Sequence, residues 1–215
     1  MNLGVNSWIL IGLTLLEVLF VIIPPLISAR IENHTFREEL RNMGLRLARN
    51  PLMIRLRRIG LGLLGGLLFY LISGYITNFF RNFIVEQLFG TEYIVRAEEN
   101  VINTSPVTPT LMQIIILIIM QVFVVGICEE AFFRGFMLSK LEDKLPSGVG
   151  IILSSLIFAI YHVPPFIVPL STIITFFGYY FSFGVLLSLV FKFSDNSLLP
   201  GIVAHSFFNI LLILV

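Results

Sequence analysis

Apolar residues run along this chain in long unbroken blocks, without the alternation of a half-buried strand or the narrow stripe of a soluble helix. Six blocks stand out, from Trp8 to Ser28, Ile59 to Phe80, Pro109 to Ser139, Gly148 to Val163, Val168 to Phe193 and Leu198 to Val215. A bilayer core of about 30 Å takes about 20 helical residues to cross. The pattern therefore predicts an all-α fold, a polytopic transmembrane helical bundle. Val168 to Phe193 is expected to break at Gly178 or Gly184 if the count exceeds six, and the range expected is six to eight spans.

Composition agrees: 57% of the 215 residues are hydrophobic and 13% charged, which excludes an ordinary soluble domain. The first 29 residues hold no Lys or Arg, so no secretory leader is expected. The single cysteine, Cys128, excludes an intrachain disulfide and reads as an apolar packing residue, with a minor functional role left open.

Charge is distributed unevenly. Arg30, Arg37, Arg41, Arg46, Arg49, Arg55, Arg57 and Arg58 crowd one loop against Glu32, Glu38 and Glu39, which makes that loop cytoplasmic by the positive-inside rule. Residues 30–58 are expected to form an interfacial amphipathic element on anionic lipid, with Ile31, Phe36, Leu40 and Leu47 dipping into the membrane, rather than to bind nucleic acid. Alternation then puts Lys140, Lys144 and Lys192 on the same side, in agreement. Two regions are expected: 1–108, N-terminal spans with the arginine-rich loop, and 109–215, a catalytic transmembrane core.

The stretch ICEEAFFRG, Ile127 to Gly135, puts two carboxylates and a guanidinium after sixteen uncharged residues, Leu111 to Gly126. Intramembrane charges are costly, by about 2.5–3.5 kcal/mol each on insertion scales, and mark functional sites. Glu130 and Arg134 are i and i+4, so they share a helix face as an ion pair and leave Glu129 turned roughly 100° away, toward a cavity. Phe158 and His162, and His205 and Asn209, repeat the i, i+4 spacing on two more spans. At about 1.5 Å per residue, Glu129, His162 and His205 lie very roughly 16, 24 and 15 Å from the arginine-rich end, a similar level reached from that side. Glu17, alone in the first span, reads as a structural hydrogen-bonding group outside the site. The aromatics from Phe176 to Phe183 read chiefly as lipid-facing and packing surface, with the lining of a pocket for a greasy substrate as the lesser reading, and Gly60, Gly62, Gly65 and Gly66 read as close helix packing.

Such a cluster suits hydrolysis. Glu129 with His162 can take a proton from water, and His205 with Asn209 can donate hydrogen bonds to the resulting oxyanion. No serine or cysteine nucleophile is indicated, although Cys128 and Ser206 lie nearby. Zinc held by Glu129, His162 and His205 is the alternative, but Glu129 cannot then also be the free base. From another class comes a proton relay in a transporter, or a non-catalytic scaffold.

EExxxR at Glu129, Glu130 and Arg134, FxxxH at Phe158 and His162, and HxxxN at His205 and Asn209 together resemble the CAAX prenyl endopeptidase and bacteriocin-processing (CPBP, or Abi) family of intramembrane proteases. The resemblance implies a helical bundle with a cytoplasm-facing cavity that admits a prenylated CaaX tail, and release of the last three residues of the prenylated protein or peptide. It implies activation of water by Glu129 and His162, oxyanion stabilisation by His205 and Asn209, and a supporting role for Glu130 and Arg134. No cofactor is expected. Members often have eight spans, so a further helix is expected after Val215. Other members resemble immunity or peptide-processing proteins, which leaves other membrane peptides open as substrates.

Overall fold

The computed structural model describes residues 7–45, 51–101 and 109–214. Among them it is helical, without strands. Eight helices are sufficient to describe it: α1 (Ile11–Ile31), α2 (Phe36–Asn42), α3 (Leu52–Phe89), α4 (Thr91–Glu99), α5 (Leu111–Glu142), α6 (Ser147–His162), α7 (Leu170–Lys192) and α8 (Leu198–Leu214). Helices α1, α3, α5 and α7 are long and apolar enough to cross a membrane, whereas α6 and α8 are shorter apolar helices. The six apolar blocks thus become six helices. Helix α7 stays continuous through Gly178 and Gly184, so the expected break does not occur. Both glycines serve packing: a Cβ at Gly178 would meet the Phe80 ring, and one at Gly184 the Ser155 backbone.

Helix α1 is not uniform. A 3₁₀ segment, Glu17–Val21, precedes Pro24 and Pro25, prolines being tolerated where a new helical turn starts. Helix α3 lies along α8, and small residues set the approach. A Cβ on Gly62 would fall 2.6 Å from the Pro200 carbonyl oxygen, and one on Gly66 2.6 Å from that of Ala204. Gly62→Val should therefore lower the melting midpoint in detergent, at a cost of about 1–3 kcal/mol for overpacking. Gly60, expected to pack closely, faces open space instead, so Gly60→Ala should not lower that midpoint.

The arginine-rich loop packs against the bundle. Thr35 caps α2 through a reciprocal bond pair with Glu38, and α2 folds over the near end of α5. Glu39 is fully buried there, taking hydrogen bonds from Ser28 (2.7 Å) and Lys140 (2.9 Å). Burial pushes the Glu39 carboxyl up, but the bonds from Lys140 and Ser28 outweigh it and hold it below the usual range. Lys140 also reaches Glu32 at 2.5 Å, and Lys192 reaches Glu142 at 2.8 Å. Met43 is buried with its backbone against Gly135. Ile31 and Phe36 are exposed, as an interfacial element requires, while Leu40 packs on the core instead. Leu47, Arg46 and Arg49 lie outside the described residues.

Candidate active site

Helix α5 carries the site, and its local geometry departs from a regular α-helix on either side of it. The residues Gln121–Val125 and Ala131–Leu138 are π-helical, flanking Gly126–Glu130. Wider π turns insert a residue per turn and re-aim side chains, and they concentrate at functional sites. The turn that follows Glu130 still permits its pairing: Arg134 donates to Glu130 Oε1 at 2.9 Å, with both side chains about 1% exposed.

A buried guanidinium needs more than one partner. The second Arg134 nitrogen donates to the Gly184 carbonyl at 3.0 Å, and the cation lies 4.6 Å from the centre of the Phe158 ring. Gly201, whose Cβ would lie 3.0 Å from Glu130 Oε2, leaves room for the carboxylate. Glu130 and Arg134 are thus brought together as expected, with Phe158 packed between Arg134 and His162.

The structure also gives Glu130 a second task. His205 Nδ1 lies 2.9 Å from Glu130 Oε1, and a carboxylate oxygen accepts, so Nδ1 carries the hydrogen. His205 Nε2 then faces Glu129 Oε2 at 3.9 Å. His162 is oriented in the same way: its Nδ1 donates to the Phe158 carbonyl at 2.9 Å, which turns Nε2 toward Glu129 Oε2 at 3.8 Å. Glu129 is 2% exposed, and its Oε2 has no hydrogen-bond partner among the described residues.

These distances suit a water. An oxygen about 2.8 Å from both Glu129 Oε2 and His162 Nε2 closes a triangle on the 3.8 Å side, able to donate one hydrogen to each acceptor. His205 is a donor from Nε2 only when it holds both ring protons. The same three side chains are not gathered as a zinc set: Glu129 Oε2 lies 3.8 and 3.9 Å from the two Nε2 atoms, but the three ligand atoms do not all lie within 4.8 Å of one another, wider than bonds of about 2.0–2.2 Å to a shared ion allow.

Asn209 is placed differently from expectation. Its amide donates to Gln121 Oε1 at 2.7 Å, and Ser206 donates to the Gln121 carbonyl at 3.1 Å. Gln121 therefore fixes α8 against α5 one π turn ahead of the glutamates. Its signal in the sequence was one of two amides, with Gln113, in a charge-free run, with nothing to indicate a partner 88 residues away. Gln121→Leu should lower turnover roughly 10- to 100-fold by releasing Asn209, with the melting midpoint measured alongside; wild-type turnover would remove Asn209 orientation from the site. Ser206 is committed to that carbonyl, and Cys128 is buried packing.

A cavity of about 730 Å³ opens beside these groups, lined by Glu129, His162, His205 and Asn209 among apolar side chains. That size lies within the range of ligand pockets, about 300–1,000 Å³. Two groups outside the motifs also line this cavity. Tyr179, Tyr180 and Phe183 line the cavity, and Tyr180 stacks on His162 at 4.6 Å, so part of the aromatic run belongs to the site. Glu17 also lines it, with a hydrogen bond to Tyr161. Helical spacing could not reveal either, because both meet the motifs only across helices.

The lining also gives the cavity a direction. Its walls come from the Thr14–Phe20 half of α1, the Gln113–Glu129 half of α5, the last turn of α6 and the His205–Ile213 half of α8. All of these lie toward the end opposite the arginine-rich loop. At the near end Met43 packs on Gly135, Lys140 pairs with Glu32 and Glu39, and a separate cavity of about 500 Å³ lies beside Glu32 and Lys140. Depth counted along each helix could not show toward which end the cavity of the motif residues runs.

Residues 111–211 match the family model described as type II CAAX prenyl endopeptidase Rce1-like. The match spans all three motifs and supports the resemblance they carry. With the four long apolar helices, it supports an integral membrane protein of the CAAX-type membrane protease class. No curated protein and no solved structure matches the chain.

Proposed function

We propose, from a chain whose residues 111–211 match the Rce1-like endopeptidase family, that this protein is a membrane-embedded peptidase that hydrolyses with a water activated by Glu129 and His162. The observation that carries the reading is the Glu129 carboxylate, buried without a hydrogen-bond partner and facing two imidazole Nε2 atoms at 3.8 and 3.9 Å. Glu129 takes the proton as hydroxide adds to the scissile carbonyl, and passes it to the leaving amine. His205 and Asn209 receive the oxyanion. Glu130 and Arg134 hold His205 and the helix geometry. No metal is required in this scheme.

The family's substrate is an isoprenylated CaaX protein or peptide, losing its last three residues. A second reading, cleavage of other membrane peptides, is favoured by one observation. The cavity runs away from the arginine-rich end, which the positive-inside rule places in the cytoplasm, the compartment where prenylated tails arise. The test is release of the C-terminal tripeptide from a farnesylated CaaX peptide by purified protein, beside the same sequence on an unprenylated membrane anchor, with and without a strong zinc chelator. Chelator-resistant cleavage of the farnesylated peptide supports the first reading. Cleavage of the anchored peptide alone supports the second. No hydrolysis of either by folded protein moves the reading to a non-catalytic scaffold, and chelator-sensitive cleavage to zinc.

A further inference from the structure

The motif residues account for one wall of the cavity. Facing them is Glu17, first residue of the 3₁₀ segment Glu17–Val21. Residues i and i+3 eclipse one another in a 3₁₀ turn, and Glu17 and Phe20 both line the cavity. The Tyr161 side chain hydrogen-bonds Glu17, which holds it beside His162, the next residue in α6. The other Glu17 oxygen, Oε2, is buried and has no partner among the described residues.

The charge balance of this space is one-sided. Among the described residues Glu17 and Glu129 line the cavity together with His162 and His205, and no Lys or Arg does. Arg134 lies under its floor, already bonded to Glu130 and to the Gly184 carbonyl. A carboxyl with a free acceptor in an apolar wall attracts cations and hydrogen-bond donors and repels anions, more strongly than it would in water.

We propose that Glu17 is a specificity-determining residue that receives a positively charged substrate side chain next to the scissile bond, and that the site discriminates against acidic side chains there. Tyr161 is its positioning partner, holding the carboxyl at the cavity wall. The proposal rests on the peptidase reading for its consequence in turnover, but not for its consequence in binding.

The probes are three farnesylated CaaX peptides that differ only in the residue after the farnesyl-cysteine, which is lysine, norleucine or glutamate. Binding to full-length protein in detergent is read by fluorescence anisotropy and cleavage by kcat/KM. Wild type should bind the lysine peptide about tenfold more tightly than the norleucine peptide, equivalent to about 1.4 kcal/mol, and the glutamate peptide more weakly than either. Glu17→Gln keeps the shape and should bring all three within about threefold, and Tyr161→Phe should weaken the preference without abolishing it. Equal binding of the three peptides by wild type, or a preference retained in a folded Glu17→Gln variant, overturns the proposal. A lysine preference in binding without cleavage sustains the assignment of Glu17 and removes the peptidase reading instead, so the two failures are distinguishable.

Discussion

Glu129→Gln should reduce peptide hydrolysis by roughly 10²- to 10⁴-fold, the usual contribution of a positioned general base, and leave the melting midpoint in detergent at or above that of wild type. The two halves of this expectation have separate causes. Glu129 Oε2 has no partner among the described residues, so the fold does not depend on a bond that glutamine would lose. A neutral amide is also less costly than an unpaired carboxylate in a dry cavity. What glutamine cannot do is accept a proton from water held between itself and His162 Nε2. Turnover within about tenfold of wild type would end the assignment of Glu129 as base.

Glu130→Ala should act on both properties. Its carboxylate is the ion-pair partner of a fully buried Arg134 and the acceptor for His205 Nδ1. Removing one partner of a buried pair costs about 3–5 kcal/mol, because the remaining charge is left uncompensated. The melting midpoint should fall accordingly, and turnover with it, since His205 loses the bond that sets its tautomer. The double substitution Glu130→Leu with Arg134→Met separates these effects. Apolar replacement of both partners can be neutral or stabilising, so melting should recover most of the loss while turnover does not. An unchanged midpoint in Glu130→Ala would remove the ion pair from the account of stability, and recovered turnover in the double variant would remove Glu130 from the account of His205.

Both predictions concern adjacent residues, and they differ because a helix turns by about 100° per residue. That rotation gives Glu130 to the interior, where Arg134 waits one turn on, and Glu129 to the cavity. The sequence contained this division, as it contained the i, i+4 relation of Phe158 to His162. The geometry of His162 then follows locally, from a ring nitrogen within reach of the carbonyl four residues back.

Glu17 shows where such reasoning stops. A lone carboxyl in an apolar span reads as structural, because its neighbours in the chain are apolar and its partner, Tyr161, belongs to a helix far along the sequence. Asn209 is the complementary case: its position on the motif stripe was legible, but its hydrogen bond to Gln121 was not. The π turns around Gln121 and beyond Glu130 shift the register of α5 in ways that an ideal helical wheel cannot represent.

By itself, the sequence determined six apolar helices, the charge asymmetry between the two ends, the Glu130–Arg134 pair and the residues that meet around Glu129. These follow from hydrophobic run length and helical periodicity, which are local properties of the chain. Only the tertiary structure decided that Glu17, Tyr161 and Tyr180 line the cavity of the motif residues, that Gln121 bonds Asn209, and that this cavity extends away from the arginine-rich end. Those outcomes depend on contacts between residues distant in sequence, where spacing along one helix carries no information about what the neighbouring helix presents.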